Sequence, residues 1–218
     1  MIKTVIFDLD GTLLNTLEDL TDSLNYTLRE FNFPQLQISE VRKIVGNGIR
    51  LMIQRAVPEE TDEKTIDDCF DVFCDYYKDH MADKTRPYDH VTQLLCLLKK
   101  EGFKTAVVSN KDEFAAKQLC RELFSDSVDI TVGSNSERRN KPYPDNVDYA
   151  LEQLSSRKDE AVFVGDSEVD IETAKNAKLF AIGVLWGFRD KDVVEKSGAD
   201  YIVENVDQLK EYLLKNKG

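Results

Sequence analysis

The sequence predicts an α/β fold: a doubly wound parallel sheet that carries a small all-α domain. Three patterns support that expectation. Short, β-rich apolar runs alternate with amphipathic segments along most of the chain. The runs are apolar without alternation, as strands covered on both faces must be, and this points to a parallel sheet between two helical layers. One long stretch near the N-terminus shows helical spacing and nothing else.

In chain order the strand candidates are Ile2–Phe7, Thr105–Val108, Val128–Val132, Ala161–Val164 and Phe180–Leu185, with a weaker run at Tyr201–Val203. Helix-like segments lie between them at Val91–Lys100, Glu113–Leu123, Asn146–Leu154, Asp170–Ala177, Asp192–Ser197 and Val206–Leu214. Right-handed crossovers are expected for such a series. From Thr16 to Asp83 the apolar residues recur at helical spacing, as in Leu17, Leu20, Leu24 and Leu28, or Ile49, Met52, Ile53 and Val57. Phe70, Phe73, Tyr76 and Tyr77 continue the pattern, and Gly46-Asn47-Gly48 and Pro58-Glu59-Glu60 mark breaks between helices. A connection of roughly 65 residues is long for a loop and is expected to form its own domain. The expected division is 1–15 with 84–218 for the α/β core and 16–83 for the helical domain.

Composition narrows the function without selecting it. Hydrophobic residues make up 41% and charged residues 32%, which suits a soluble globular chain. No run reaches the roughly 18 apolar residues of a membrane span, and Met1–Asp8 has no signal-peptide pattern, so a cytoplasmic protein without a membrane partner is expected. A net charge of −12 disfavours nucleic acid and anionic lipid, which are held by clustered Lys and Arg. A phosphorylated substrate would meet the same repulsive field, so it would need a local positive focus such as a bound divalent cation. Cys69, Cys74, Cys96 and Cys120 form no C-x-x-C pair and have no zinc-spaced histidine; with the isolated His80 and His90 they are assigned no chemistry.

Ligands of doubly wound sheets bind beyond the carboxyl ends of the strands. The first run ends in Asp8-Leu9-Asp10-Gly11-Thr12 and the second in Ser109-Asn110-Lys111. The fourth ends in Gly165-Asp166-Ser167-Glu168-Val169-Asp170, and Lys141-Pro142-Tyr143-Pro144 opens the helix that leads into it. Each fragment alone is ordinary. Asp-x-Asp-Gly is a common turn, Ser109-Asn110 could cap a helix, Asp166 and Asp170 could complement a helix dipole, and Lys141-Pro142 could be a surface turn. Together they bring carboxylates, a hydroxyl and an ammonium to one rim of one sheet, which unrelated turns would not do.

These segments resemble the four signature motifs of the haloacid dehalogenase superfamily, in its phosphatase members. Asp8-Leu9-Asp10-Gly11-Thr12-Leu13 is similar to the first motif and Ser109 to the second; Lys141-Pro142 is similar to the third and Gly165-Asp166-Ser167-x-x-Asp170 to the fourth. The resemblance spans essentially the whole chain. It implies a Rossmann-type core in which residues 16–83 are the helical cap, closing to exclude bulk water. It also implies a magnesium-dependent phosphatase that passes through an aspartyl-phosphate, with Asp8 as nucleophile and Asp10 as the acid and base. The implied metal ligands are Asp8, the Asp10 backbone carbonyl and Asp166, with Asp170 orienting ligand waters or Lys141. Lys141 and Ser109, with Thr12 and the amides near Asn110, would hold the substrate. The physical demands agree: phosphomonoester hydrolysis is very slow uncatalysed and needs positioning and charge neutralisation together.

The substrate that this resemblance implies is a small phosphorylated metabolite. A carboxyl at Asp10 points to phosphoryl transfer rather than dehalogenation, and the absence of a histidine in Glu18-Asp19-Leu20-Thr21 favours a phosphatase over a phosphoglucomutase-like transferase. Val45-Gly46-Asn47-Gly48-Ile49-Arg50-Leu51 resembles the Gly-x-Gly segment of phosphoglycolate phosphatases, and the later loop Trp186-Gly187-Phe188-Arg189 is more weakly similar to the same branch. Gly46, Asn47 and Gly48 could present backbone N–H groups to a substrate carboxylate, with Arg50 or Arg42 adding charge. The same residues also fit a plain helix break with a solvated Arg50. Pyrophosphate, nucleotides and sugar phosphates stay open as substrates. A phospho-aspartate signalling module is a further reading, but it has no use for Asp10. A monomer or weak homodimer is expected.

Overall fold

The computed structural model describes all residues from Met1 to Gly218. The chain divides into two compact units, Met1–Leu14 with Pro87–Gly218, and Asn15–Arg86. No helix is long and apolar enough to cross a membrane.

The larger unit is built on β1 (Thr4–Phe7). A two-residue ribbon follows in the chain, β2 (Leu14–Asn15) paired with β3 (Arg86–Pro87). Then come β4 (Lys104–Asp112), β5 (Ile130–Ser134), β6 (Ala161–Gly165), β7 (Phe180–Val184) and β8 (Tyr201–Val203). The main sheet has six strands in the order β5-β4-β1-β6-β7-β8, and every pairing is parallel. Sequence order reverses direction at β1, so the crevice expected of this topology opens beside it. Phe7 pairs with Val107 on one side and Val164 on the other, so the residues that follow these strands emerge together.

The core follows from the same register. Every residue of β1 and β6 is buried, and Ile6, Val108, Val132, Phe163, Val147, Leu151 and Ile171 form one cluster. Full burial of such side chains contributes about 1.5–3 kcal/mol each, which holds the central strands rigid beneath the rim. The faces are covered by α5 (Val91–Lys100), α6 (Glu113–Phe124), α7 (Asp145–Gln153), α8 (Glu168–Ala177), α9 (Lys191–Lys196) and α10 (Val206–Lys215).

Several boundaries differ from the expected ones for identifiable reasons. Strand β4 runs past Val108 to Asp112 through a register shift against β5. It stops there because Asp112 turns its carboxylate back to accept from Phe114 N and Ala115 N, capping α6. Strand β5 starts two residues later than expected, since Asp129 Oδ2 is drawn off to accept from Thr105 N at 2.7 Å. Helix α8 starts at Glu168 because Ser167 and Asp170 form a capping box.

The smaller unit contains α1 (Leu17–Glu30), α2 (Ile38–Ile44), α3 (Ile49–Ala56) and α4 (Glu63–His80). Leu20, Leu24, Leu28, Met52, Ile53, Ile66, Phe73 and Tyr77 are buried within it, which is the helical spacing read from the sequence. Gly46 and Gly48 take φ of +121° and +89° between α2 and α3, a left-handed break that suits glycine.

Asp19 in α1 is only 2% exposed, and its carboxylate accepts from Lys84 N at 3.0 Å and Thr85 N at 2.8 Å. Lys84 Nζ to Asp22 at 2.6 Å and Arg86 Nη2 to Glu18 at 3.2 Å reinforce this staple. Asp19→Ala strands two N–H groups in a protein interior and should cost about 1–3 kcal/mol of local stability. Hydrogen exchange should quicken selectively at the Lys84 and Thr85 amides. Unchanged protection there would show that the staple does not hold the segment.

Candidate active site

Asp8 follows β1 directly, and its N–H still donates to Val164 O at 2.9 Å, so the sheet ladder fixes its backbone. Its Oδ1 accepts from Leu9 N at 2.7 Å and lies 2.7 Å from Lys141 Nζ. The chain then turns tightly: Leu13 N and Leu14 N both donate to Leu9 O, at 3.0 and 2.9 Å. Gly11 takes φ +92°, and a Cβ there would come 2.5 Å from Asp166 Oδ2. Only glycine meets both the backbone and the space requirement.

From the neighbouring strand, β4 delivers Ser109, Asn110 and Lys111, all buried, in its irregular stretch. Lys111 N donates to Ser109 Oγ at 3.2 Å, which occupies a lone pair and leaves the hydroxyl proton free to point elsewhere. Asn110 serves the main chain of Lys141: its Oδ1 accepts from Lys141 N at 2.8 Å and its Nδ2 donates to Lys141 O at 3.2 Å. The segment before Lys141 is anchored by Arg138, which donates to Asn146 Oδ1 and Glu113 Oε2, each at 2.8 Å, and lies over the Tyr149 ring.

Lys141 Nζ sits 2.7 Å from both Asp8 Oδ1 and Asp170 Oδ1. Burial pulls its ammonium down, but Asp170 and Asp8 outweigh burial and hold it protonated well above the ordinary lysine value. Asp170 is fully buried, and its second oxygen accepts from Ser167 N at 3.0 Å and Ser167 Oγ at 2.6 Å. A Cβ at Gly165 would lie 2.6 Å from that oxygen, so β6 must end in glycine for Asp170 to fold beneath it.

Asp166 follows β6 and is 2% exposed. Its Oδ1 accepts from Thr12 Oγ1 at 3.2 Å and its Oδ2 from Phe188 N at 2.7 Å. The segment 186–189 thus wraps the first turn, and Trp186 Nε1 also donates to Thr12 O at 2.9 Å. Gly187 leaves room for this, since a Cβ there would lie 2.5 Å from Asp166 Oδ2. The role of Gly187 and Phe188 was not assigned from sequence. The signal available was glycine just past a fifth apolar run, at the same sheet edge as the other motifs.

Asp8, Asp166 and Asp170 each offer a carboxylate oxygen within 4.8 Å of the others. Three buried carboxylates therefore face one ammonium, Lys141, and the imbalance is visible in their proton affinity. Burial, then the Asp170 charge, raises Asp8 well above the usual carboxylate range despite Lys141. The same two causes push Asp166 up to about 7, against the Phe188 hydrogen bond and the Arg189 and Lys141 charges. Hard oxygen donors with surplus negative charge suit a divalent cation such as Mg²⁺ and suit soft or nitrogen-seeking metals poorly.

The remaining expected residues fall as follows. Asp10 lies 3.1 Å from Lys111 Nζ, a partner not expected from the sequence. Arg50 Nη2 pairs with Glu63 at 2.6 Å and Asp67 at 2.9 Å within the helical unit. Asn47 Oδ1 accepts from Arg55 at 3.1 Å, while Gly46 and Gly48 form the turn described above. None of the four cysteines forms a disulfide, and burial pushes the Cys69 and Cys120 thiols up to about 11, keeping them protonated and inert.

Comparison with known proteins assigns this arrangement to a family. Residues 5–184 match the family described as haloacid dehalogenase-like hydrolase. A phosphoglycolate phosphatase of Aquifex aeolicus is 33% identical over 86% of each chain. One of Neisseria meningitidis is 31% identical over 99% of this chain and 95% of its own. A crystal structure from Lactobacillus delbrueckii subsp. bulgaricus superposes with a TM-score of 0.93 at 34% identity, covering 97% of this chain and 98% of that one. The chain belongs to the haloacid dehalogenase-like hydrolases, on their phosphoglycolate phosphatase-like branch.

Proposed function

We propose that this phosphatase hydrolyses a small phosphomonoester, 2-phosphoglycolate foremost, through a phosphorylated Asp8 and with Mg²⁺ at the acidic cluster. The observation that supports it most is the meeting of Asp8, Asp166 and Asp170 oxygens within 4.8 Å, with Lys141 bridging two of them. Asp8, the Asp10 backbone carbonyl and Asp166 would hold the ion, while Asp170 stays committed to Lys141 and Ser167. Bound there, Mg²⁺ supplies the positive charge that lets an anionic phosphoryl group approach an ionised Asp8.

The chain's own groups do the rest. The Asp8 carboxylate attacks phosphorus as the P–O ester bond breaks, and Asp10 gives its proton to the departing alkoxide. Asp10, now ionised, takes a proton from the water that attacks the phosphoaspartate, releasing inorganic phosphate and restoring Asp8. Lys141 and the Ser109 hydroxyl hold the non-transferring oxygens as charge develops. Rigid backbone beneath each group means that little reorganisation is required during the reaction.

The test is turnover of 2-phosphoglycolate beside a panel of sugar phosphates, nucleotides and pyrophosphate, with Mg²⁺ and with EDTA. Catalytic turnover lost in EDTA is expected, with 2-phosphoglycolate giving the highest kcat/KM. A better panel member would replace the substrate, and a single stoichiometric phosphorylation would replace the phosphatase by a signalling module. Mg²⁺ should also stabilise the folded chain by about 2.7 kcal/mol at a hundredfold excess over its Kd. At one fixed Mg²⁺ concentration the gain should be larger at pH 8 than at pH 6, because Asp166, raised to about 7, must give up its proton to bind the ion. A gain equal at both pH values would remove Asp166 from the ligand set.

A further inference from the structure

The chemistry above leaves one buried cation unused. The Lys111 side chain is 3% exposed, and its Nζ lies 3.1 Å from Asp10 Oδ1 and 3.4 Å from Oδ2. Asp10 itself keeps 16% of its side chain exposed, so of the pair the aspartate has the greater access to solvent. Desolvating an ammonium this fully is costly, and a hydrophobic residue of similar size would often serve stability as well. Core packing therefore does not account for a lysine here.

The backbone that carries Lys111 is unusually constrained. Its N–H is held by Ser109 Oγ, and the next residue, Asp112, caps α6. Gly133 of β5 passes so closely that a Cβ there would lie 2.8 Å from Lys111 O. The β4 register shift spans Val108 to Asp112, the stretch that carries Lys111, whose ammonium reaches Asp10 of the first motif. A rigid base thus presents a long, buried ammonium to one carboxyl.

We infer that Lys111 is a positioning residue for Asp10, fixing the carboxyl in the orientation from which it delivers a proton to the leaving oxygen. This rests on the proposed phosphatase chemistry. A lysine serving stability alone would affect all substrates equally. One that aims the proton donor matters in proportion to how much the leaving group needs a proton.

The test is a series of para-substituted phenyl phosphates of nearly constant shape, read as kcat/KM for wild type, Lys111→Met and Lys111→Arg. Lys111→Met should lose roughly tenfold or more on phenyl phosphate, whose phenoxide is a poor leaving group, but less than about threefold on p-nitrophenyl phosphate. Lys111→Arg should recover most of the loss. On phenyl phosphate, Asp10→Asn combined with Lys111→Met should be no slower than Asp10→Asn alone, since both act through one proton transfer. If Lys111→Met does not fold, Lys111→Gln is read by the same criterion. A loss of equal factor across the series overturns the inference and leaves the phosphatase intact. No turnover in wild type overturns the phosphatase reading, and this inference with it.

Discussion

Asp8→Asn should reduce turnover to background while leaving the fold in place. The amide keeps the volume of the carboxyl, and its oxygen can still accept from Leu9 N and Lys141. What disappears is the anion proposed to attack phosphorus, and a neutral amide is a very poor substitute nucleophile. The expected loss is several orders of magnitude in kcat. Stability should hold or rise, because burial and Asp170 already disfavour the Asp8 charge and the substitution removes it. Steady-state assay together with thermal melting separates the two effects. Substantial residual turnover in a preparation free of wild type would mean that Asp8 is not the nucleophile.

Lys141→Met should be the more damaging of the two changes to stability, and it should lower activity as well. Activity should fall about 10²–10³-fold, the usual consequence of removing one group that stabilises developing charge. Removing the cation of a buried cluster also leaves carboxylates uncompensated, which typically costs about 3–5 kcal/mol. The sign of the pH dependence follows from Asp8. Its proton affinity is raised in the folded state, so on acidification the fold takes up protons before the unfolded chain does and is stabilised relative to it. Without Lys141 that uptake begins at still higher pH. The deficit against wild type should therefore be large at pH 8 and shrink toward pH 5, as read from denaturant melts at both. A deficit independent of pH would mean that Lys141 acts through packing rather than charge.

The meeting of these polar residues at one rim was legible in the sequence because its geometry needs so little. Once strands end in phase, a polar residue just beyond each apolar run must land at the same edge, and Asp8, Ser109 and Asp166 do so. Lys111 closes the second apolar run in the sequence, but nothing in Ser109-Asn110-Lys111 signals that its ammonium reaches Asp10. The strand in fact persists to Asp112 through an irregularity that no residue pattern announces. Arg50 could not be judged either way, since its partners Glu63 and Asp67 lie on another helix. Asp19 was hidden for the same reason: it reads as a first-turn acid, and only the fold brings it to backbone amides 65 and 66 residues away. Local chemistry shows in sequence; long-range pairing does not.

The ribbon formed by β2 and β3 bears on how such proteins can diversify. The chain leaves the sheet at Leu14–Asn15 and comes back at Arg86–Pro87, two strands that lie side by side. Everything between them is spliced in at a single seam, roughly 5 Å across, the usual spacing of paired strands. A different helical module could be joined at that seam without disturbing the register of the six strands or the acids they carry. The helical unit and the acid-bearing sheet are then separable cassettes, and a chimera cut at residues 15 and 86 is the natural way to exchange one while keeping the other.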